Sequence, residues 1–223
     1  HSLYNLLPAP GRSAAASLRG HYLNRWRYGS ETDSLVQAAL DRESWSNFDW
    51  ESWRSDRLAY VLERAATRVP FYRRAWAERR KLGDDSSWKV LENWEILEKE
   101  SVRANPLAFV ADDRSPNRMF RDHTSGTTGT SLSLYMTKET VRKWYALFEA
   151  RSRRWYRLTR HVRWAILGGQ LVTPARQERP PFWVWNSGLR QLYMSSYHLS
   201  PQNVPAYIDA LEKFGVRYIL GYP

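Results

Sequence analysis

The segment from Thr124 to Ser131 contains residue types that could bind a polyphosphate. Two glycines stand among six hydroxyl side chains, in the order Thr124, Ser125, Gly126, Thr127, Thr128, Gly129, Thr130 and Ser131. Glycine permits backbone conformations that point successive N–H groups into one concavity, and the hydroxyls add neutral donors for phosphate oxygens. Because such a cradle has no charge of its own, it can also release pyrophosphate.

Two other interpretations of this segment compete with phosphate binding by a neutral cradle. A Walker loop would need a lysine and a following helix, and since both are missing a Walker NTPase is disfavoured. A turn between two strands that binds nothing is the second alternative.

His123 directly precedes the segment, and it could donate to a substrate or phosphate oxygen or make a structural bond at the end of its strand.

A second group of candidates follows two predicted strands of the C-terminal region. Gly168, Gly169 and Gln170 end a strand at the carboxyl edge of the predicted sheet, where α/β proteins usually bind ligands. The alternative is a plain turn. Tyr197 and His198 precede a helix and could line the pocket of an acyl substrate, or they could pack against the start of that helix.

The elements that position these residues change in character near residue 115. Residues 1–115 form a mainly helical N-terminal region, and residues 116–223 form an α/β region that contains the phosphate segment. In the first region a helix closes at Pro70, a second helix covers Phe71 to Lys81, and helical turns follow over residues 94–109. The apolar face of the first helix carries Leu58, Val61, Leu62 and Ala65.

The α/β region opens with two short strands, over residues 119–123 and 132–136, that flank the phosphate segment. An amphipathic helix is then predicted from Lys138 to Arg157. Its apolar stripe carries Val141, Trp144, Tyr145, Phe148, Ser152 and Trp155, and its opposite, basic face carries Arg142, Lys143, Arg153, Arg154 and Arg157. That face could bind nucleic acid, coenzyme A phosphates or an anionic polymer, or it could be solvated.

The end of the chain carries the pattern of an α/β sheet. Strands are predicted over residues 162–167, 182–185 and 191–195. A helix follows with Ser200 as N-cap, Pro201 at the first helical position and Gly215 just past its end. Its predicted face carries Val204, Tyr207, Ile208 and Leu211. A continuous apolar strand over residues 216–220, predicted to be buried, then favours an α/β fold over a sandwich or a bundle.

Composition limits the class of protein. With 12 Trp and 13 Tyr among 223 residues, the chain should fold. It has no cysteine, which excludes disulfides and thiolate sites, and its five histidines lack the three- or four-residue spacing of a metal pair, so we expect no structural metal. No stretch approaches about 18 apolar residues, so no membrane span is predicted and a cytoplasmic location is the default.

The net charge of +11 would attract polyanions. The chain opens on His1 instead of methionine and stops at Pro223 directly after a predicted strand, so we expect both ends to be cut from a longer protein. The charge of that longer protein would then differ from the charge of this portion.

The sequence resembles the adenylate-forming superfamily, whose loop reads Ser/Thr-Ser-Gly-Thr-Thr-Gly between two strands. Thr124 to Gly129 matches that loop position for position. Over roughly residues 58–223 the chain is most similar to the branch of phenylacetate-CoA ligases and adenylate-forming proteins of capsular polysaccharide biosynthesis. The other matching stretches are residues 70–73, 96–105, 195–200 and 221–223.

The resemblance implies a helical lead-in followed by part of a large α/β domain, incomplete at its C-terminus. It implies that a small-molecule carboxylate attacks Mg-ATP to give an acyl-adenylate and pyrophosphate, which a nucleophile such as coenzyme A then attacks. The loop would hold the β- and γ-phosphates. Most members place proline and lysine soon after the loop, whereas Leu132 and Ser133 follow Ser131 here, and Lys138 lies too far on to replace that lysine.

The resemblance places the catalytic lysine beyond Pro223, so we expect the 223-residue chain alone to be inactive. Two alternatives stay open from the residues. The first is a basic, Trp-rich module that binds RNA or an acidic polysaccharide, and the second is a degenerate, non-catalytic member of the family. The acyl substrate, the acceptor and the oligomeric state are left open by the sequence.

Overall fold

The structure is a computed structural model that describes residues 2–124 and 131–221. In chain order its helices are α1 (Ser2–Leu6), α2 (Ala9–Arg27), α3 (Thr32–Asp41), α4 (Asn47–Arg68), α5 (Pro70–Lys81), α6 (Lys99–Ala104), α7 (Lys138–Ser152) and α8 (Val204–Lys213). Its strands are β1 (Phe120–His123), β2 (Ser133–Met136), β3 (Trp164–Gly168), β4 (Trp183–Asn186), β5 (Gln191–Ser195) and β6 (Tyr218–Gly221). Helices and strands of these lengths make the protein α/β, as predicted.

The chain divides into two compact units. We call His1–Gln37 together with Arg142–Pro223 the sheet unit, and Ala38–Val141 the inserted unit. All described strands lie after residue 119, and the described part before it is helical or irregular. The expected boundary between residues 115 and 116 separates a part without described strands from the part that contains them. That it is also a domain boundary stays a prediction.

Helix α4 of the inserted unit has a reciprocal cap at its N-terminus. The Ser46 hydroxyl accepts from the Asp49 N–H at 3.2 Å, and the Asp49 carboxylate accepts from the Ser46 N–H at 2.9 Å. Helix α5 is present with its predicted end at Lys81, but it starts at Pro70, one residue before the predicted start, because proline is favoured at the first helical position. The predicted apolar face of α4 is wrong in part: Leu62 is buried, but Leu58 and Val61 are exposed. The buried residues of α4 are Leu62 and Ala66, which are four residues apart on one side of the helix.

Aromatic rings hold α5 against the turns that follow it. Trp76 is buried and meets Trp94 edge to face with ring centroids 5.4 Å apart. Phe71 stacks on Phe109 at 4.4 Å. The predicted helical turns are present, as α6 between short 3-10 turns at Leu91–Asn93 and Pro106–Phe109.

The sheet unit contains a four-stranded sheet in the order β4-β5-β3-β6. Strands β5 and β6 both lie parallel to β3, with α8 in the crossover between them, and β4 is antiparallel to β5. The core of this unit forms where α8 packs on the sheet, and it consists of Ala165, Phe182, Leu192, Met194, Tyr207 and Ala210. Burial raises the pKa of Tyr207 to about 12, and its hydroxyl donates to the Ser195 carbonyl at 2.6 Å.

Two details of the C-terminal prediction are wrong. Helix α8 starts at Val204 with Asn203 as N-cap, because the Ser200 carbonyl accepts the Asn203 and Val204 N–H groups and closes a turn ahead of the helix. Ser200 and Pro201 therefore precede the helix. The last strand is not buried, since β6 is at the edge of the sheet and Ile219 is 54% exposed. Gly215 does follow α8 with a φ of +60°.

Helix α7 also differs from its prediction. It ends at Ser152 and is followed by a 3-10 turn, after which Arg157 has a φ of 57°. Trp144, at 64% exposure, and Trp155 do not lie on a buried stripe. The buried residues in the part of α7 and the turn that belong to the sheet unit are Ala146, Glu149, Ala150 and Arg153. A prediction from hydrophobicity could not find these four buried residues, because Glu149 and Arg153 are charged.

Arg153 is the centre of a buried polar cluster, which removes it from the predicted basic face. Its guanidinium donates to the Glu149 carboxylate at 2.9 Å and to the Tyr218 hydroxyl at 2.5 Å, and the ring of Trp164 lies 5.5 Å from it. The second Glu149 oxygen accepts the Arg160 N–H at 2.7 Å. Burial lowers the pKa of Arg153, but neighbouring Tyr28, Tyr218 and Glu149 raise it overall above its ordinary value.

Helix α2 covers the outer edge of β4 in place of another strand. The Trp185 N–H donates to the Ser13 hydroxyl at 3.2 Å, the Ser17 hydroxyl donates to the Trp185 carbonyl at 3.4 Å, and the Ser187 N–H donates to Ser17 at 3.1 Å. Serine side chains thus satisfy backbone groups that an edge strand would otherwise expose. The approach is close: a Cβ on Gly188 would lie 2.3 Å from the His21 nitrogen.

Candidate functional site

Strands β1 and β2 of the inserted unit form an antiparallel hairpin around the predicted phosphate segment. The pairing runs from Phe120 opposite Met136 to His123 opposite Ser133. Beyond the last pair, the Thr124 N–H donates to the Leu132 carbonyl at 3.1 Å, and the Leu132 N–H donates to the Thr124 hydroxyl oxygen at 3.0 Å. The two ends of the segment are therefore tied together at its base. Thr124 and Ser131 are exposed, and Ser125 to Thr130 lie outside the described residues.

A small polar cluster lies on one face of this hairpin, next to the segment. Side chains of alternate residues share a face of a strand, and Arg121, His123 and Ser133 do so here. The Ser133 hydroxyl lies 3.2 Å from Nδ1 of His123 and also accepts from the Arg121 guanidinium at 3.2 Å. All three residues keep contact with solvent. His123 thus has a structural bond and is also accessible beside the segment.

An apolar cavity of about 260 Å³ adjoins β2 on the inserted unit. Its lining on the helical side is Val102, Pro106, Phe109 and Val110, and on the strand side it is Ser133, Leu134, Tyr135 and Met136. Ser133 therefore belongs both to the polar cluster and to this lining. A cavity of this size could receive a small apolar group whose polar end reaches the hairpin face.

The other predicted candidates lie in the sheet unit, at the carboxyl ends of β3 and β5. Gly168 pairs with Ser195, and the Ser196 hydroxyl donates to the Gly168 carbonyl at 3.2 Å. Gly169 and Gln170 are exposed, and Tyr197 is 65% exposed. Among the described residues, a Cβ on Gly169 would have one neighbouring atom within 4 Å, the Tyr197 hydroxyl oxygen at 3.9 Å. Gly168, Gly169 and Gln170 lie at the carboxyl end of β3, where the strand pattern placed them, and Tyr197, which was predicted only to precede a helix, lies beside them.

His198 differs from its neighbours because it is buried and held on both ring nitrogens. Nε2 lies 3.2 Å from the Pro174 carbonyl, and since a carbonyl only accepts, Nε2 carries a proton. In the neutral ring, Nδ1 then accepts from the Ser195 hydroxyl, 2.9 Å away. The ring also stacks on Phe182 at 4.9 Å. His198 therefore positions the loop between β3 and β4 and fixes the start of the segment that leads to α8.

Neither Arg121 nor Ser133 was predicted as a site residue. In the sequence, Arg121 lies two residues before His123 and Ser133 lies ten residues after it. These even spacings indicate a shared face of the hairpin only when the pairing of the two strands is known. In residues 2–124 and 131–221, no group of three or more His, Asp and Glu side chains could hold a metal ion. No helix in that part of the chain has the length and hydrophobicity needed to cross a membrane.

Comparison with known proteins gives one distant similarity. Protein CapK of Staphylococcus aureus is 21% identical over 220 residues, which cover 99% of this chain and 47% of CapK. The chain therefore spans about half the length of that curated relative. No family model matches the chain, and no solved structure matches it.

Proposed function

We propose that this chain is the N-terminal part of a capsule-related, ATP-dependent adenylate-forming ligase, in which the Thr124–Ser131 segment holds the β- and γ-phosphates of Mg-ATP. The observation that carries the proposal is the hairpin, which ties both ends of a glycine- and hydroxyl-rich segment together through Thr124 and Leu132. A segment fixed at its base can present its N–H donors to an anion at low entropic cost.

The surroundings of the hairpin suit a polyphosphate. Arg121 brings a guanidinium to Ser133, which is one of the two residues found where most adenylate-forming enzymes have proline and lysine. In this proposal Arg121 supplies the positive charge that the missing lysine would supply, and the His123 ring adds a donor beside it. Mg²⁺ bound with the nucleotide would supply further neutralisation of the phosphate charge beside Arg121 and His123.

Similarity to Protein CapK supports a capsule-related role, which agrees with the capsular polysaccharide branch of the adenylate-forming resemblance. We propose a small-molecule carboxylate as the substrate and a nucleophile such as coenzyme A as the acceptor. Because the chain spans 47% of CapK, adenylation itself is proposed for a protein that includes the remaining length. The polyanion-binding alternative loses support, since Arg153 is buried and Arg142 pairs with Glu31.

The Thr124 hydroxyl provides the first test of this proposal. Thr124→Val keeps the shape of the side chain but removes the acceptor for the Leu132 N–H, so the base of the segment should fray. We expect Mg-pyrophosphate to bind the variant about 5- to 10-fold more weakly than the unmodified chain, which corresponds to about 1–1.4 kcal/mol. Thr124→Ser keeps the acceptor and should bind within about twofold of the unmodified chain. Isothermal titration calorimetry measures all three affinities.

Two outcomes would count against the phosphate segment. The first is no detectable binding of Mg-pyrophosphate to the unmodified chain at millimolar concentration. The second is equal binding by Thr124→Val and the unmodified chain, with far-UV circular dichroism showing that both are folded. In either case the hairpin would be a turn that binds no phosphate.

The charge of Arg121 gives a separate prediction. Arg121→Gln should weaken Mg-pyrophosphate binding about 5- to 20-fold, since a charge-assisted contact is lost. Arg118→Gln is the matched control, because Arg118 is exposed and the structure assigns its side chain no ion pair or hydrogen bond among the described residues. Arg118→Gln should bind Mg-pyrophosphate within about twofold of the unmodified chain. If both variants weaken binding equally, the effect is long-range charge and Arg121 has no specific role.

A further inference from the structure

Arg12, on helix α2 in the sheet unit, is a buried cation without an anionic partner in the described chain. Its side chain is 4% exposed. The one hydrogen bond that its guanidinium makes to a described residue goes to the Gln177 side-chain oxygen, at 3.0 Å. Its Nε is completely buried and has no hydrogen-bond partner among the described residues. This combination is unusual, because buried charges in proteins are normally paired.

Arg153 of the same unit provides an internal comparison. It is equally buried, but it pairs with the Glu149 carboxylate and donates to Tyr218, so its charge is compensated within the protein. Taking an arginine out of water costs several kcal/mol unless an anion and further hydrogen bonds offset that cost. Arg12 has one neutral acceptor, so the cost at Arg12 is met only in small part by the described residues.

Gln177 cannot supply the missing negative charge, and its orientation is fixed. Its amide nitrogen donates to the Arg179 carbonyl at 2.8 Å and to the Pro181 carbonyl at 2.7 Å. Because both bonds require the NH₂ group, the amide oxygen must face Arg12. The loop between β3 and β4 therefore presents a neutral acceptor to the guanidinium and holds it there.

Tyr4 is also excluded as the counter-charge. Its hydroxyl donates to the Val172 carbonyl at 3.1 Å, which requires the protonated form. Burial raises the pKa of Tyr4 above its ordinary value, and this outweighs the opposite effect of nearby Arg12. The phenol is therefore neutral at physiological pH and leaves the guanidinium uncompensated.

The loop that faces Arg12 carries a second polar group without a partner. Thr173 follows Val172 and is completely buried, and its hydroxyl has no hydrogen-bond partner in the described part of the protein. A buried hydroxyl left unpaired costs about 1–3 kcal/mol. Two unpaired buried donors thus belong to Arg12 and to residues 172–177, the short segment that is bonded to Arg12 through Gln177.

We propose that Arg12 is the centre of an oxyanion site in the sheet unit, which takes a phosphate or carboxylate group against the 172–177 segment. A guanidinium matches these groups because its planar fork of donors binds two oxygens at once. The site admits only a small terminal group, because so little of Arg12 is accessible. A polymer such as nucleic acid could not reach it through its backbone. The site does not rest on the proposed adenylation, which involves residues of the inserted unit.

Thermal unfolding of the 223-residue chain tests the site with sodium phosphate and sodium acetate, each at constant ionic strength made up with sodium chloride. At ten times the dissociation constant, either anion should raise Tm by about 2–4 °C. Arg12→Met should abolish that rise. Arg19→Met is the matched control, since Arg19 is exposed on the same helix and has no side-chain partner among the described residues, and it should respond like the unmodified chain.

A measurement on the unmodified chain keeps the test decisive if Arg12→Met does not fold. The buried Nε–H of Arg12 should exchange slowly with water and give an observable ¹⁵N side-chain resonance, which should shift on addition of phosphate or acetate and saturate. A response to one anion alone would identify which group the site takes. The proposal is overturned if neither anion moves Tm or the resonance, if sodium chloride does so equally, or if folded Arg12→Met responds like the unmodified chain.

Discussion

Replacing Arg153 with glutamine is expected to destabilise the protein by about 3–5 kcal/mol. Glutamine keeps a hydrogen-bonding group but removes the positive charge, so the Glu149 carboxylate would be left in the interior with the Arg160 N–H as its close donor. The bond to Tyr218 that ties the turn after α7 to β6 would also be lost. Urea unfolding followed by tryptophan fluorescence measures the change in free energy.

Two further variants separate the charge pair from general disturbance of the helix. Arg154→Gln removes a neighbouring, partly exposed arginine, and it should cost less than about 1 kcal/mol. Arg153→Met combined with Glu149→Leu removes both charges, and it should cost less than the two single replacements added together. If Arg153→Gln lowered the free energy of unfolding by no more than Arg154→Gln, the buried cluster would be contradicted. Arg153 would then belong to a solvated basic face.

Replacing Gly188 with alanine is expected to cost about 2–3 kcal/mol. The new methyl group would lie 2.3 Å from the His21 nitrogen and 2.5 Å from the Gly20 carbonyl carbon, and these are atoms of the α2 backbone. Backbone atoms cannot rotate away as a side chain can. Helix α2 would have to move off β4, which would strain the bonds from Ser13 and Ser17 to Trp185.

Gly169→Ala is the matched control for this steric effect. Its methyl group would make one ordinary contact at 3.9 Å, so the variant should unfold within about 0.5 kcal/mol of the unmodified chain. Thermal unfolding by circular dichroism compares both variants with the unmodified chain. If Gly188→Ala were as stable as Gly169→Ala, the close packing of α2 on the turn after β4 would be wrong.

Much of the sheet unit could be predicted from local sequence, because its signals are strong and short. Gln191 to Ser195 was predicted with both bounds correct, and Gly215 marked the end of α8 through its left-handed backbone. The exposure of β6 could not be predicted in the same way. An apolar strand has the same sequence whether it lies in the centre or at the edge of a sheet, and only the strand order places it at the edge.

The polar core of this unit escaped prediction for a related reason. Hydrophobicity marks Glu149 and Arg153 as surface residues, yet the two are four residues apart and neutralise one another, so they can be buried together. Arg12 carries no sequence signal at all, because its burial depends on a loop about 160 residues away. Partners at such separation are set by topology and not by local pattern.

For the candidate site, the two strands that flank the Thr124–Ser131 segment were predicted from the sequence, and phosphate binding by the segment stays a prediction. The register that puts Arg121, His123 and Ser133 on one face depends on which residues pair, and a shift of one residue would have turned Arg121 and His123 to the other face. Sequence could therefore predict where the hairpin lies but not which cation would be near the segment.

The docking of α2 onto β4 has a consequence for the order in which the protein is made. Helix α2 is synthesised about 160 residues before its partner strand is complete, which at 5–20 residues per second is a delay of roughly 8–30 s. The inserted unit, being continuous in sequence, can fold within that interval. During the delay the contact face of α2 is exposed to water, and the residues with which it meets β4 and the following turn include Ser13, Ser17, Gly20 and His21, none of which is a large apolar side chain. A docking face of that chemistry offers little apolar surface for aggregation of the nascent chain before β4 is synthesised.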